Sequence, residues 1–140
     1  MAVTNIYAAV SDVQALIKAA SGAGITISRT STPTTTEVEG FLDQVAAEVD
    51  GVLKAAGYGT VPASGTTDKL MIRRFVAMKA AALTWYAGYG GFDEVPSRVA
   101  QWEKDYEAFL MRLQKKTIRL SDQAPSSKIA EIYVQRYTGE

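Results

Sequence analysis

The side chains that most often carry enzyme chemistry are missing from this sequence before any spacing is considered. Its 140 residues contain no histidine and no cysteine, so imidazole bases, thiol nucleophiles, disulfides, zinc fingers and iron–sulfur ligands are excluded together. Carboxylates, hydroxyls, lysines and glycines remain. Glu39 with Asp43, and Glu103 with Glu107, sit four residues apart and so share a helix face, the arrangement that acid–base pairs or a hard cation require. Both pairs fall on the polar faces of amphipathic segments, where no apolar pocket raises a carboxylate pKa, and they read as solvated surface. Ser-x-x-Lys and Gly-x-Ser-x-Gly do not occur. The glycine clusters fare no better as phosphate loops: Gly57-Tyr58-Gly59 is followed by Pro62, and Gly88-Tyr89-Gly90-Gly91 follows a helical pattern where a dinucleotide motif follows a strand. They read as helix ends and turns. Trp85, Tyr86, Tyr89 and Phe92 cluster where the third helical pattern ends, and they read as core and a packed corner.

Charge is the remaining chemistry. Fifteen Lys and Arg balance fifteen Asp and Glu, but not evenly along the chain. Residues 1–70 carry four bases against seven acids, a net of −3, and residues 71–140 carry eleven against eight, a net of +3. Arg112, Lys115, Lys116 and Arg119 form the densest basic cluster, and Arg73-Arg74 a smaller one. Such clusters contact phosphates in nucleic-acid binders, yet a chain of zero net charge lacks the long-range attraction of a dedicated one. A small helical DNA-binding or regulatory protein is therefore the alternative reading.

The elements that must position these groups are helices. A hydrophobic fraction of 47% argues for a packed core, and the length fits one domain. Prolines 33, 62, 96 and 125 fall where the apolar periodicity breaks. Ser11-Asp-Val-Gln14 fits a capping box opening a short helix over 11–20, with Val13, Leu16 and Ile17 on one face. Residues 25–36 are β-branched and hydroxyl-rich, a connector. Thr34-Thr-Thr-Glu37 is a second capping box; Val38, Phe41, Leu42, Val45, Val49, Val52, Leu53 and Ala56 then mark a buried stripe that stops at Gly57. Thr67 or Asp68 caps a third helix carrying Leu70, Met71, Phe75, Val76, Met78, Leu83 and Tyr86. The alanines at 77, 80, 81, 82 and 87 let neighbours approach closely and make it the central helix. Asp93, Glu94 and Pro96 head a fourth helix with Val99, Trp102, Tyr106, Phe109, Leu110 and Leu113 inward and Glu103 and Glu107 outward. After residue 121 the apolar positions no longer fit one period. The expectation is an all-α fold: a small helical bundle over residues 1–120, three main helices plus a short N-terminal one, with an extended C-terminal arm over 121–140. The start carries no basic n-region or long apolar run, and no uncharged stretch exceeds 13 residues, so no membrane partner and no secretory signal are expected.

In this order the segments YAAVSDVQALIKAA, STPTTTEVEGFLDQVAAEVDGVLKAAGY, RRFVAMKAAALTWY and VPSRVAQWEKDYEAFLMRL resemble the head–tail connector adaptors, or head-completion proteins, of long-tailed bacteriophages. The likeness covers roughly residues 7–115. It is densest where Glu37, Phe41, Leu42, Ala46, Ala47, Asp50 and Gly57-Tyr58 stand after the Thr-Pro-Thr run. The resemblance implies a structural virion protein without enzymatic activity or cofactor. Such proteins assemble as a ring, usually dodecameric, under the portal of a DNA-filled capsid, and they join the portal to a stopper, head-completion or tail protein. It further implies that the C-terminal arm, with Ile129, Ile132, Tyr133, Val134 and Tyr137, docks into the portal. The basic cluster then faces the DNA channel or a neighbouring subunit, with genomic DNA passing through without sequence-specific binding. The implied location is the virion neck, and the host cytoplasm during assembly.

Overall fold

Thr34 stops the connector and starts the longest stretch of amphipathic helix by exchanging hydrogen bonds with Glu37. The Glu37 N–H donates to Thr34 Oγ1 at 3.3 Å and the Thr34 N–H donates to Glu37 Oε1 at 3.5 Å, so both orphan donors are satisfied in the expected capping box. In the computed structural model, which describes residues 7–21, 26–59, 61–63, 65–88, 97–116 and 120, four helices follow one another. They are α1 (Val10–Ser21), α2 (Thr35–Ala56), α3 (Thr66–Gly88) and α4 (Ser97–Lys115). The described fold is an all-α four-helix bundle with a short first helix.

Helix α1 starts one residue earlier than its sequence suggests. The side chain that caps it is Asp12, whose Oδ2 accepts the Ala9 N–H at 2.8 Å, and not Ser11, which lies inside the first turn. The Asp12 carboxylate, in the first turn, also meets the positive end of the helix dipole. Val13 and Ile17 are fully buried beneath it. The connector that follows folds on its own hydroxyls: the Ser28 N–H donates to Ser31 Oγ at 2.8 Å, the Ser31 hydroxyl donates to the Pro33 carbonyl at 2.7 Å, and the Ser28 carbonyl accepts the Thr35 N–H at 2.9 Å. The Thr32–Pro33 and Val61–Pro62 peptides are cis.

Val38, Leu42, Val45, Ala46, Val49 and Leu53 bury the inner stripe of α2. Phe41, Val52 and Ala56, expected in that stripe, lie on its margin and are only partly buried. Gly57 ends the helix at φ 87°, a left-handed conformation that costs glycine nothing. Its N–H donates to the Lys54 carbonyl, and the Tyr58 N–H to that of Leu53, both at 3.1 Å.

Helix α3 packs against all three others. Ala80, Ala81 and Ala82 are fully buried at successive positions and Ala77 nearly so, so helix backbones close in on every side at this level. Thr84 is buried there too, and its hydroxyl donates to the Ala80 carbonyl at 2.8 Å within the same helix. Leu70 departs from the sequence expectation. It is 58% exposed, while Asp68 and Ile72 on the other side of the same turns are fully buried. Helix α4 runs antiparallel to α3: Phe75 and Phe109 stack with centroids 4.1 Å apart and planes 8° from parallel, and Lys79 pairs with Glu103 at 3.7 Å. Glu103 therefore sits at the α3–α4 seam instead of facing outward.

At the far end of α3, Gly88 lies against the connector. A Cβ there would come within 2.6 Å of Pro33 Cδ and 2.7 Å of the Thr32 carbonyl carbon, inside van der Waals contact. Gly51, midway along α2, has open space where its Cβ would be. Gly88→Ala should lower unfolding free energy by about 1–3 kcal/mol through forced displacement of the strap. Gly51→Ala should raise it by about 0.5–1 kcal/mol, since glycine inside a helix loses more entropy than alanine. Urea unfolding of the two variants beside the parent checks the opposite signs.

Candidate functional site

None of the chemical candidates assembles into a catalytic constellation among the described residues. Glu39 is exposed at the head of α2, with Asp43 one turn on and partly buried. The pairing of Glu103 with Lys79 separates it in role from the exposed Glu107. Among the described residues no three carboxylates come together as cation ligands, and no helix is long and apolar enough to cross a membrane. Gly57 and Gly88 act in a helix stop and a close contact, and neither forms a phosphate cradle. Trp85 is core, as expected, and Tyr86 lies beside it partly buried. Tyr89 and Phe92 lie outside the described residues.

What the fold does bring together is two tyrosine–carboxylate couples on opposite sides of α2. Tyr7 is 5% exposed; its hydroxyl donates to Asp50 Oδ1 at 2.5 Å and accepts the Ala63 N–H at 2.9 Å. One atom thus ties the segment before α1 to α2 and to the loop before α3. Tyr106, also buried, donates to Glu48 Oε1 at 2.5 Å and ties α4 to α2. Burial, then the adjacent carboxylate, raises both phenols far above their ordinary range, so they stay protonated donors. Burial also raises the Asp50 carboxyl, against the Tyr7 hydrogen bond and the Lys54 charge that favour its ionised form. None of these contacts carries a sequence motif. For Tyr106 the one available signal was its place in the inward stripe of the fourth helix, which implies burial and hence a partner for the hydroxyl.

Two grooves flank α1. One, of about 390 Å³, runs between the start of α1 and α2, with Ala8, Val10 and Leu42 on its walls and Glu39 at its rim. The other, of about 420 Å³, runs between α1 and α3 over Ala15, Leu16, Ala77 and Met78, with Arg73 and Arg74 above. Arg73 makes a two-pronged bond to Asp12, Nη2 to Oδ1 at 2.6 Å and Nε to Oδ2 at 3.1 Å. Desolvation would raise the Asp12 carboxyl, but the Arg73 guanidinium and the Ala9 N–H outweigh it and hold the group below the ordinary carboxylate range. At the opposite end of α1, Arg98 donates to the Ala19 carbonyl at 2.9 Å, a cation on the final turn of a helix.

Three members of the basic cluster fall at the end of α4. Arg112 and Lys115 are exposed on α4, whereas Lys116 lies just past the helix end at φ 57° with its ammonium 5.8 Å from the centre of the Tyr58 ring. Arg119 lies outside the described residues, as do Ile129, Ile132, Tyr133, Val134 and Tyr137 of the arm.

Tyr7→Phe should cost about 1–3 kcal/mol of unfolding free energy, because it strands the buried Ala63 N–H and a partly buried carboxylate together. The pH dependence has a definite sign. A carboxyl lowered by folding stabilises above its unfolded pKa and loses that contribution as pH falls through the folded value, so Asp12→Asn should flatten the acid limb of stability below the ordinary carboxylate range. Thermal melts over that range, parent against variant, provide the measurement. Comparison of the chain with protein-family models, curated proteins and solved structures finds no match.

Proposed function

We propose that this chain is a structural subunit of a virion neck, a head–tail connector adaptor that assembles as a ring, a dodecamer, beneath the portal. In that role it extends the DNA channel and joins the portal to a stopper, head-completion or tail protein. It performs no catalysis and takes no cofactor. It is made in the host cytoplasm, ends in the virion, and lets genomic DNA pass without reading its sequence. The observation that carries this reading is the likeness of residues 7–115 to such adaptors, strongest over the segment that folds as α2 between its capping box and Gly57.

The outward side of α2 supports it. Ala47 and Gly51 are exposed there and Gly40 is partly so, and among the described residues nothing beyond the helix's own backbone and the adjoining residues lies within 4 Å of a Cβ at either glycine. Two open glycines inside a 22-residue helix cost about 0.5–1 kcal/mol each with no gain in internal packing. A second molecule lying close against that face would offset the cost. Different surfaces on the two flanks of α1 also suit a heterologous contact, the kind that closes a ring.

The alternative, a small DNA-binding protein, draws on Lys104, Arg112 and Lys115, which are exposed along α4. Glu107 stands among them, and Lys116 is committed to Tyr58. Among the described residues of α4 this leaves a short phosphate track.

Native mass spectrometry of the protein, alone and mixed with the portal of its own genome, should show a ring near twelve subunits; monomer under both conditions refutes the adaptor reading. Deleting residues 121–140 should abolish co-sedimentation with portal while leaving helical circular dichroism unchanged, and retained co-sedimentation refutes the arm's docking role. Micromolar duplex-DNA binding with a salt slope of several phosphates would establish the alternative instead.

A further inference from the structure

The outward side of α4 holds an apolar residue in water among cations. Met111 is 53% exposed, one of two large apolar side chains so placed among the described residues, the other being Leu70 of α3. Lys104 lies seven residues before Met111 and Lys115 four after it, spacings that set all three on one line along the helix, with Arg112 beside them and Glu107 as the acid on that side. Among the described residues neither lysine makes an ion pair. A partner that complements this face is flat where Met111 must lie and anionic along its edges.

The outward side of α2 has that form. Gly40, Ala47 and Gly51 recur at the same i, i+7, i+11 spacing as Lys104, Met111 and Lys115, so each stripe runs about 16 Å at 1.5 Å per residue. The space over both glycines is open, which lets a second helix approach closely. Helix α2 carries Glu37, Glu39, Asp43, Glu48 and Asp50 against one base, Lys54. At about 100° per residue, Asp43 and Asp50 fall on one flank of the small stripe and Glu37 and Glu48 on the other. Two of these acids are held in place from below, Asp50 by the Tyr7 hydroxyl and Glu48 by that of Tyr106. We propose that the outward face of α4 in one copy lies along the outward face of α2 in a second copy, with Met111 over the Gly40–Ala47–Gly51 stripe and the lysines against its acidic edges. This contact rests on the ring reading, for which it supplies the joint between neighbours.

The two faces cannot meet within one molecule. Leu42, Val49 and Leu53 turn the opposite side of α2 into the core, and Trp102, Phe109 and Leu113 do the same for α4. The Tyr106–Glu48 bond fixes the two helices side by side, so both faces look away from their own bundle. Repeated head to tail, the contact leaves one face of each kind open at the ends of the series until it closes on itself.

The absence of cysteine from the chain makes the test direct. Ala47→Cys on α2 and Met111→Cys on α4 are made as separate single variants and mixed under mild oxidation, so that a mixed disulfide reports a contact between copies. The expected result is a mixed dimer formed about tenfold faster than with the control pair Ala47→Cys and Lys18→Cys. Lys104→Glu with Lys115→Glu, placed in the Met111→Cys variant, should reduce this to the control rate. Adding Glu39→Lys with Asp43→Lys to the Ala47→Cys variant should restore it. Ala47→Trp, at an exposed position, should leave circular dichroism unchanged and abolish the ring in native mass spectrometry. With both cysteines in one chain, oxidation should give a ladder running past two copies.

Cross-linking at the control rate overturns the proposal. So does preferential cross-linking of Ala47→Cys to Leu70→Cys, which would give the α2 face to α3, and so does a ladder that stops at two copies. Control-rate cross-linking together with micromolar duplex-DNA binding that is lost in Lys104→Glu with Lys115→Glu would give the α4 face to nucleic acid. Rings that form normally while Ala47→Cys and Met111→Cys fail to join overturn this contact and leave the adaptor reading standing. Monomer at every concentration, with and without portal, overturns both.

Discussion

Everything in this bundle depends on how closely three helices can approach one. Helix α3 meets α1, α2 and α4, and the depth of that approach is set by side-chain size at its middle, where Ala80, Ala81 and Ala82 are fully buried and add little bulk. Bulk is displaced to the surrounding helices, in Leu42, Val49 and Leu53 of α2, Ile17 of α1, and Tyr106, Phe109 and Leu113 of α4, all buried. Enlarging a central alanine would drive three contacts apart at once, since interiors at crystal-like density have no slack to absorb a methylene. The large residues outside can exchange volume among themselves.

This arrangement explains why so much of the fold was legible. A capping box is local, and Thr34 with Glu37 declares the start of α2 without reference to anything distant; Gly57 declares its end in the same way. The alanine run in α3 states centrality because small residues at every angle of a helix make sense only where every side is covered. Leu70 was misplaced for the converse reason. Its spacing matches the buried series, but which positions a neighbour covers is a property of tertiary packing, which periodicity does not encode. Asp12 was passed over as a cap because the first turn of α1 begins at a residue type, valine, that announces nothing.

The polar contacts were the least legible part. Tyr7 with Asp50, Tyr106 with Glu48 and Arg98 with the Ala19 carbonyl each join residues with no local relationship, and any of several acids would have served equally well on paper. Charge was legible only in sum. The excess of acid in the first half of the chain and of base in the second is partly spent within the molecule, since Arg73 of the second half closes on Asp12 of the first. The charge left for other molecules is that of individual exposed groups such as Arg74, Lys104 and Lys115.

The way α1 is fastened bears on the surfaces beside it. Its ties and those of the segment before it span 43 and 56 residues through the Tyr7 hydroxyl, 61 through Arg73 and 79 through Arg98, while α2 and α4 are joined across 58 by Tyr106 and Glu48. Closing long loops costs entropy before any contact rewards it. Both grooves beside α1 are therefore surfaces that exist only while these long-range ties hold the N-terminal helix in place.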